Sequence, residues 1–173
     1  MKTNLWSSAA VNGFILALIT IVFTLVQTAF PMKGMAAGLL IMIVKLTATV
    51  GTLYYFMKAM GQEEESYPYS DAFKYGFAVS ICSNIVISCY LWTHYTMIFP
   101  DAINDMLEVM GPALAQKNAD SSTLDTIFNN FPVILSITLI VLYSIYGVIF
   151  SAVLASFVKK PENIFADKTS NES

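Results

Sequence analysis

The sequence is poor in charged residues and contains no arginine. Only 12% of its 173 residues are charged, against about 25% in an average soluble domain, and all nine basic residues are lysines. A nucleic-acid-binding surface must be basic enough to displace counterions from phosphates, and this chain has a net charge of −3. We therefore expect no nucleic-acid partner.

Residues that carry catalysis or bind metals are also scarce. The chain has one histidine and two cysteines, and Cys82 and Cys89 lie about 10 Å apart along one predicted helix, too far for a disulfide. The zinc-protease, serine-hydrolase, P-loop and dinucleotide-binding motifs are missing. His94 and Met97 lack further ligands at a defined spacing, as a soft-metal site would require. We therefore expect a non-enzymatic protein with no metal and no other cofactor.

Four long apolar segments make up most of the chain. Apolar residues account for 56% of the sequence, against about 45–50% in soluble domains. A bilayer core about 30 Å thick is crossed by roughly 20 apolar residues in a helix, which satisfies its own backbone hydrogen bonds in lipid. The predicted spans are 9–30, 35–57, 72–98 and 132–158. The expected fold class is an all-α integral membrane four-helix bundle, with residues 1–173 forming one membrane domain.

The first segment has an alternative interpretation as a cleaved signal peptide. Lys2 provides a weak basic start. However, the apolar run is longer than a signal-peptide core, and no small-residue cleavage motif follows it. We therefore treat the segment as a retained span.

The lysines predict an orientation, because cytoplasmic loops of membrane proteins carry the excess of basic residues. With both termini in the cytoplasm, six lysines lie inside: Lys2, Lys58, Lys74, Lys159, Lys160 and Lys168. Only Lys33 and Lys117 lie outside. The sequence therefore predicts cytoplasmic N- and C-termini.

The segments between the spans carry helix signals of their own. In the external loop 100–131, apolar residues recur at helical spacing from Ile103 to Leu114, and Ser122 with Asp125 resembles a capping box. We expect short amphipathic helices there and a polar C-terminal tail over 159–173. Ser70 and Asp71 are typical of a helix N-cap and predict the start of the third span.

Lys45 lies about 15 Å from either end of the second predicted span. A lysine at the bilayer centre costs on the order of 3 kcal/mol on insertion scales, and no acidic residue lies deep in any span to neutralise it. At a similar estimated depth the other helices offer hydrogen-bonding groups: Thr20, Asn84, Tyr143, Ser144 and Tyr146. One interpretation is a polar path for a solute, ion or proton. The other is a lysine that extends toward an interface or completes one internal hydrogen-bond network.

Small residues recur at intervals of about four along three of the spans. This spacing allows helices to approach closely. The predicted helix-packing residues are Gly13, Ala17, Gly76, Ser80, Ser88, Gly147, Ser151 and Ala155, with Thr20 and Thr24 on the same face of the first span. Aromatic residues near span ends are expected at the membrane interfaces, among them Trp6, Tyr67, Tyr75 and Trp92.

Three stretches of the chain resemble a family of bacterial four-span inner-membrane proteins described only as a domain of unknown function. They are the junction from Tyr69 to Phe77, the sequence Ile98-Phe99-Pro100-Asp101, and a small-residue fourth span ending in Val158-Lys159-Lys160. Phe99 departs from the family, which tends to have asparagine before that proline. The resemblance implies the four-span fold and a bacterial inner membrane, and it brings no reaction, ligand or site residue.

Two functional classes follow from the sequence. In the first, the protein is a non-enzymatic accessory or assembly protein, whose small-residue faces pack against other membrane proteins or a second copy. In the second, it is a small transporter or channel component with a polar path around Lys45. A water-filled cavity that reaches Lys45 favours the second class. A dry, tightly packed interior with Lys45 hydrogen-bonded, or a lipid-facing Lys45, favours the first.

Overall fold

The computed structural model describes residues 5–30, 35–64, 66–101, 126 and 130–160, and within them four long helices account for nearly every residue. These are α1 (Leu5–Ala29), α2 (Met35–Glu63), α3 (Tyr69–Thr93) and α4 (Phe131–Val158). Each is long and apolar enough to cross a membrane. The expected all-α four-helix fold is confirmed, and the chain is a multi-pass membrane protein. The loop helices predicted within 100–131 and most of the predicted tail lie outside the described residues.

Helix α3 is the central helix of the bundle. It packs along most of its length against α1 on one side and α4 on the other, whereas α2 contacts its neighbours over shorter stretches. Two ends of the bundle can be distinguished. We call the end with Ala29, Met35 and Phe131 the loop end, and the end with Leu5, Glu63 and Val158 the termini end.

The core is densest at the termini end. Tyr75, Met57 and Val79 are fully buried there, and their cluster includes Leu53 and Ala155. The connection between α2 and α3 is fixed to the end of α4 because the backbone N–H of Lys160 donates to the carbonyl of Tyr67 at 2.8 Å. The termini end is therefore tied together by both packing and backbone hydrogen bonding.

Two helix boundaries differ from the sequence prediction. Helix α2 continues past Met57 to Glu63. Met60 and Gly61 are still buried in this last part, and Gly61 packs against the ring of Tyr67. Helix α3 begins at Tyr69 with Pro68 in the N-cap position, so the N-cap predicted at Ser70 and Asp71 is wrong. Both residues lie in the first turn, where the charge of Asp71 still favours the helix dipole.

Beyond Thr93 the helical chain widens into a π-helical turn, His94–Ile98. The N–H of Phe99 closes this turn by donating to the carbonyl of His94 at 2.8 Å. Such turns are frequent where a helix positions a particular side chain. Here the turn places the ring of His94, which is fully buried, among the rings of Tyr90, Tyr95 and Phe99.

Candidate functional site: an intramembrane cavity at Lys45

The small residues predicted to pack helices lie at contacts within the chain. A Cβ at Gly13 would lie 2.7 Å from the Cβ of Cys82, and a Cβ at Gly147 would lie 2.8 Å from the Cβ of Ser80. Gly76 leaves similarly little space, here against Met57 and Ser151. Ala17, Ser151 and Ala155 are fully buried, and Ser88 bonds to the Asn84 carbonyl of its own helix. These faces therefore join α1 to α3 and α3 to α4.

A cavity of about 400 Å³ lies between the four helices. This volume falls within the usual ligand-pocket range of about 300–1,000 Å³. Apolar side chains from several helices line it, among them Leu16, Met42 and Ile87. Eight polar side chains complete the lining: Thr20, Lys45, Thr49, Ser80, Ser83, Asn84, Tyr143 and Tyr146. Although these polar groups contribute, the cavity surface is predominantly apolar, and none of the described residues that line it is acidic.

The cavity exists because the first half of α2 stands away from the bundle. No residue from Ala36 to Thr52 is buried, whereas Leu53, Phe56 and Met57 in the second half are. Gly51 shows the same separation, since no atom lies within 4 Å of the position that its Cβ would occupy. Helix α2 is therefore anchored at the termini end and leaves a space behind its other half.

Lys45 is half-buried at this cavity, and its ammonium forms an interhelical hydrogen bond. Nζ donates to Oγ1 of Thr24 on α1 at 3.1 Å. The long side chain extends toward the start of its own helix, as helical side chains do. The nitrogen thus reaches the level of Thr24, five residues or about 7.5 Å from the last residue of α1. The charge therefore lies closer to the loop end than its Cα does.

The other predicted site residues lie around the same cavity. Thr20 and Tyr143 line it, and so does Asn84, whose Nδ2 donates to Oγ of Ser144 at 3.4 Å. Asn84 and Thr20 are buried, whereas Tyr143 and Ser144 are half-buried. Tyr146 also lines the cavity, so the structure brings Lys45 together with all five residues chosen by depth and polarity, with Ser144 joined through Asn84.

Thr24, which the sequence placed on a packing face, is the direct partner of Lys45. Its hydroxyl also donates to the carbonyl of Thr20 at 2.9 Å, and Thr28 repeats this bond one turn later at 3.0 Å. The regular spacing of these threonines indicated one helix face. That this face meets an ammonium could not be read from spacing, because it depends on how α1 and α2 are rotated.

The threonine face leads to a second polar group at the loop end. Thr28 Oγ1 lies 3.2 Å from Nε2 of His94, and the hydroxyl of Tyr90 lies 2.8 Å from Nδ1. Both ring nitrogens are therefore hydrogen-bonded. The hydroxyl of Thr28 donates its proton to the Thr24 carbonyl and so accepts from Nε2–H of His94. In a neutral ring, Nδ1 then accepts from the hydroxyl of Tyr90. His94 is thus a buried, hydrogen-bonded side chain. The described residues contain no cluster of three potential metal ligands.

A third polar group lies in the core at the termini end. The fully buried Tyr75 places its hydroxyl 3.0 Å from Oγ of Ser8 and accepts a hydrogen bond from Nδ2 of Asn12 at 2.6 Å. Tyr75 therefore joins α3 to α1. Tyr67 is likewise buried, at 3% exposure. Both rings thus face the protein core, which nearness to a span end does not specify.

Comparison with curated proteins and with solved structures finds no match. A family model, in contrast, matches residues 12–160, which include α2, α3, α4 and most of α1. The resemblance noted in the sequence is confirmed by this match. The chain belongs to the family described as protein of unknown function (DUF4199).

Proposed function

We propose that the protein binds and conducts a small molecule through the bilayer, with the cavity at Lys45 as its binding site. The observation that carries the proposal is that the one charged residue deep within the four predicted spans faces a cavity of about 400 Å³. Ionisable residues inside membranes usually mark solute or ion paths, since placing them there costs on the order of 3 kcal/mol. The proposal is that of a non-enzymatic protein, a transporter or a channel component.

The lining supports this proposal over a purely structural role for Lys45. The ammonium carries three donor hydrogens, and among the described residues it has one hydrogen-bond acceptor, Thr24 Oγ1. A lysine that only bridged α1 and α2 would be expected in a closed pocket that offers a hydrogen-bond acceptor for each of its donor hydrogens. Instead, Ser80, Ser83 and Asn84 line the same open space from the opposite helix.

Cysteine accessibility tests this proposal. In a background with Cys82→Ala and Cys89→Ala, Ser83→Cys places a thiol at the cavity, and Ser151→Cys places one in the packed core. Both substitutions are nearly isosteric. We expect a small water-soluble thiol reagent to modify the Ser83→Cys protein in native membranes and to leave the Ser151→Cys protein unmodified. Equal protection of both thiols would contradict a solute-accessible cavity.

A second candidate is association with another membrane protein or a second copy. All of the eight small residues predicted for that role except Ser88 lie at contacts within the chain, but the exposed Gly51 has no atom of another helix within 4 Å of its Cβ position. The open face of α2 is therefore the surface that favours this candidate. Disulfide cross-linking of the Gly51→Cys protein in membranes tests it, with Ser156→Cys, on an exposed part of α4, as a control for random collision. A cross-link specific to Gly51→Cys would support association.

We also propose that the protein lies in a bacterial inner membrane with both termini in the cytoplasm. The lysine distribution supports the orientation, and the resemblance supports the membrane. Topology reporters fused at Glu64 and Asp120 should report opposite sides, with Glu64 cytoplasmic. A shared side would contradict this arrangement of four spans.

A further inference from the structure

The cavity at Lys45 adjoins an apolar groove on the surface between α2 and α4. The groove has a volume of about 460 Å³ and includes Thr47, Gly51, Tyr54 and Leu154. Leu46, Val50 and Phe150 line both spaces, so these three side chains form the boundary between groove and cavity. None of the three is fully buried. These side chains are therefore the barrier between the groove and the cavity.

We propose that the ligand of this cavity is a single-chain lipid anion, a long-chain carboxylate that enters from the bilayer between α2 and α4. This inference rests on the proposed function, because it takes the cavity as the binding site and identifies the class of molecule bound. The carboxylate pairs with Lys45, and the hydrocarbon chain lies in the groove.

The head-group assignment follows from charge. Among the described residues that line the cavity, Lys45 is cationic and none is acidic. An anion in a medium of low dielectric constant needs a cationic or hydrogen-bonding partner. The ammonium has donors beyond the one given to Thr24, and a carboxylate is an acceptor for them.

The chain assignment follows from the groove. Its lining is predominantly apolar, and Gly51 leaves open space where another residue would place a side chain. The groove runs from Leu46, next to Lys45, toward Tyr54 in the direction of the termini end. A molecule with its head at Lys45 thus extends its chain along α2. The groove lies open to the bilayer, and the proposal places one hydrocarbon chain in it.

Photolabelling of the full-length protein in lipid nanodiscs tests the inference. The probe is hexadecanoic acid with a diazirine near mid-chain, and labelled sites are mapped by mass spectrometry. We expect labelling on α2 and α4 at the groove, competed by hexadecanoic acid and not by its methyl ester or by a phosphatidylglycerol. Because a charge-assisted hydrogen bond is lost, Lys45→Met should reduce labelling about tenfold, while Lys45→Arg retains it.

Lys74→Met is the matched control, because it removes an exposed lysine at the termini end, where Lys74 pairs with Asp71. It should label as the wild type does. Labelling that is unaffected by Lys45→Met, or that maps to other faces, would overturn the inference. If the Ser83→Cys thiol is nevertheless accessible to water-soluble reagent, the proposed function stands and only the ligand class is wrong. If that thiol is protected as well, with no lipid labelling, both fail.

Discussion

The ammonium of Lys45 donates a hydrogen bond to the hydroxyl of Thr24 at 3.1 Å, and this contact joins the loosely packed half of α2 to α1. The first half of α2 contributes no buried residue from Ala36 to Thr52, so this hydrogen bond is one of the few contacts that hold it to the bundle. The same lysine faces the cavity. Because this half of α2 makes few contacts, we expect it to be more mobile than the rest of the bundle, and Lys45 lies within it.

The first prediction separates the two roles of Lys45. Lys45→Met removes a charge that costs on the order of 3 kcal/mol in the membrane, so the melting temperature of the purified protein should be unchanged or higher. Thr24→Val keeps the charge and removes its acceptor, which should lower the stability by about 1 kcal/mol. Thermal denaturation in one detergent measures both. Strong destabilisation by Lys45→Met would show that Lys45 acts mainly as a structural link.

The second prediction compares two glycines in helices. At Gly13 an added Cβ would lie 2.8 Å from the carbonyl oxygen of Val79, which belongs to the backbone of α3 and cannot move aside cheaply. Gly13→Ala should therefore cost about 1–3 kcal/mol of unfolding free energy. Gly51→Ala meets open space and should stabilise by about 0.5–1 kcal/mol, because alanine favours the helix. Equal effects of the two substitutions in chemical denaturation would refute the α1–α3 contact.

The third prediction compares two buried tyrosines. Tyr75→Phe removes a hydroxyl bonded to Ser8 and Asn12 and leaves the half-buried amide of Asn12 without that acceptor, so we expect a loss of about 1–2 kcal/mol. Tyr67→Phe removes a buried hydroxyl that has no hydrogen-bond partner among the described residues. This substitution should be neutral or stabilising. Thermal denaturation of both variants measures the difference, and a larger loss for Tyr67→Phe would contradict the assignment.

The fourth prediction concerns alkaline pH. Burial raises the pKa of Tyr67 above its ordinary value of 10.0, and the neighbouring Tyr75, Asp71 and Glu64 raise it further. Because the folded-state pKa is the higher one, the contribution to stability is complete below pH 10.0 and is lost as the pH rises toward the folded-state pKa. Tyr67→Phe should therefore lose less stability than the wild type above pH 10.0. Parallel alkaline slopes for the two proteins would contradict the burial of this hydroxyl.

The sequence predicted the helices well because hydropathy reports directly on what lipid tolerates. It did not predict that α2 reaches Glu63, since this last part is held by the contact of Gly61 with Tyr67 and not by the bilayer. Depth within the predicted spans and side-chain polarity were enough to identify candidate site residues. Lys45 and Asn84 were found in this way.

The sequence could not predict how each helix is rotated about its own axis. Thr24 and Ser80 have the small-residue spacing of a packing face, and Ser80 does pack against Gly147 while it also lines the cavity. Thr24, in contrast, accepts the bond from Lys45. Whether a small polar residue packs against a helix or hydrogen-bonds to a charged group depends on this rotation. The rotation is determined by contacts between residues distant in sequence, such as those of Gly13 and Gly76.

Binding of a single-chain carboxylate at Lys45 is tested by ligand protection of one thiol in the cavity. The measurement is the rate at which a small thiol reagent modifies the Ser83→Cys protein, with and without saturating decanoate, in backgrounds with and without Lys45→Met. We expect decanoate to slow modification when Lys45 is present and to have no effect when it is replaced. Equal protection in both backgrounds, or none in either, would contradict carboxylate binding at Lys45.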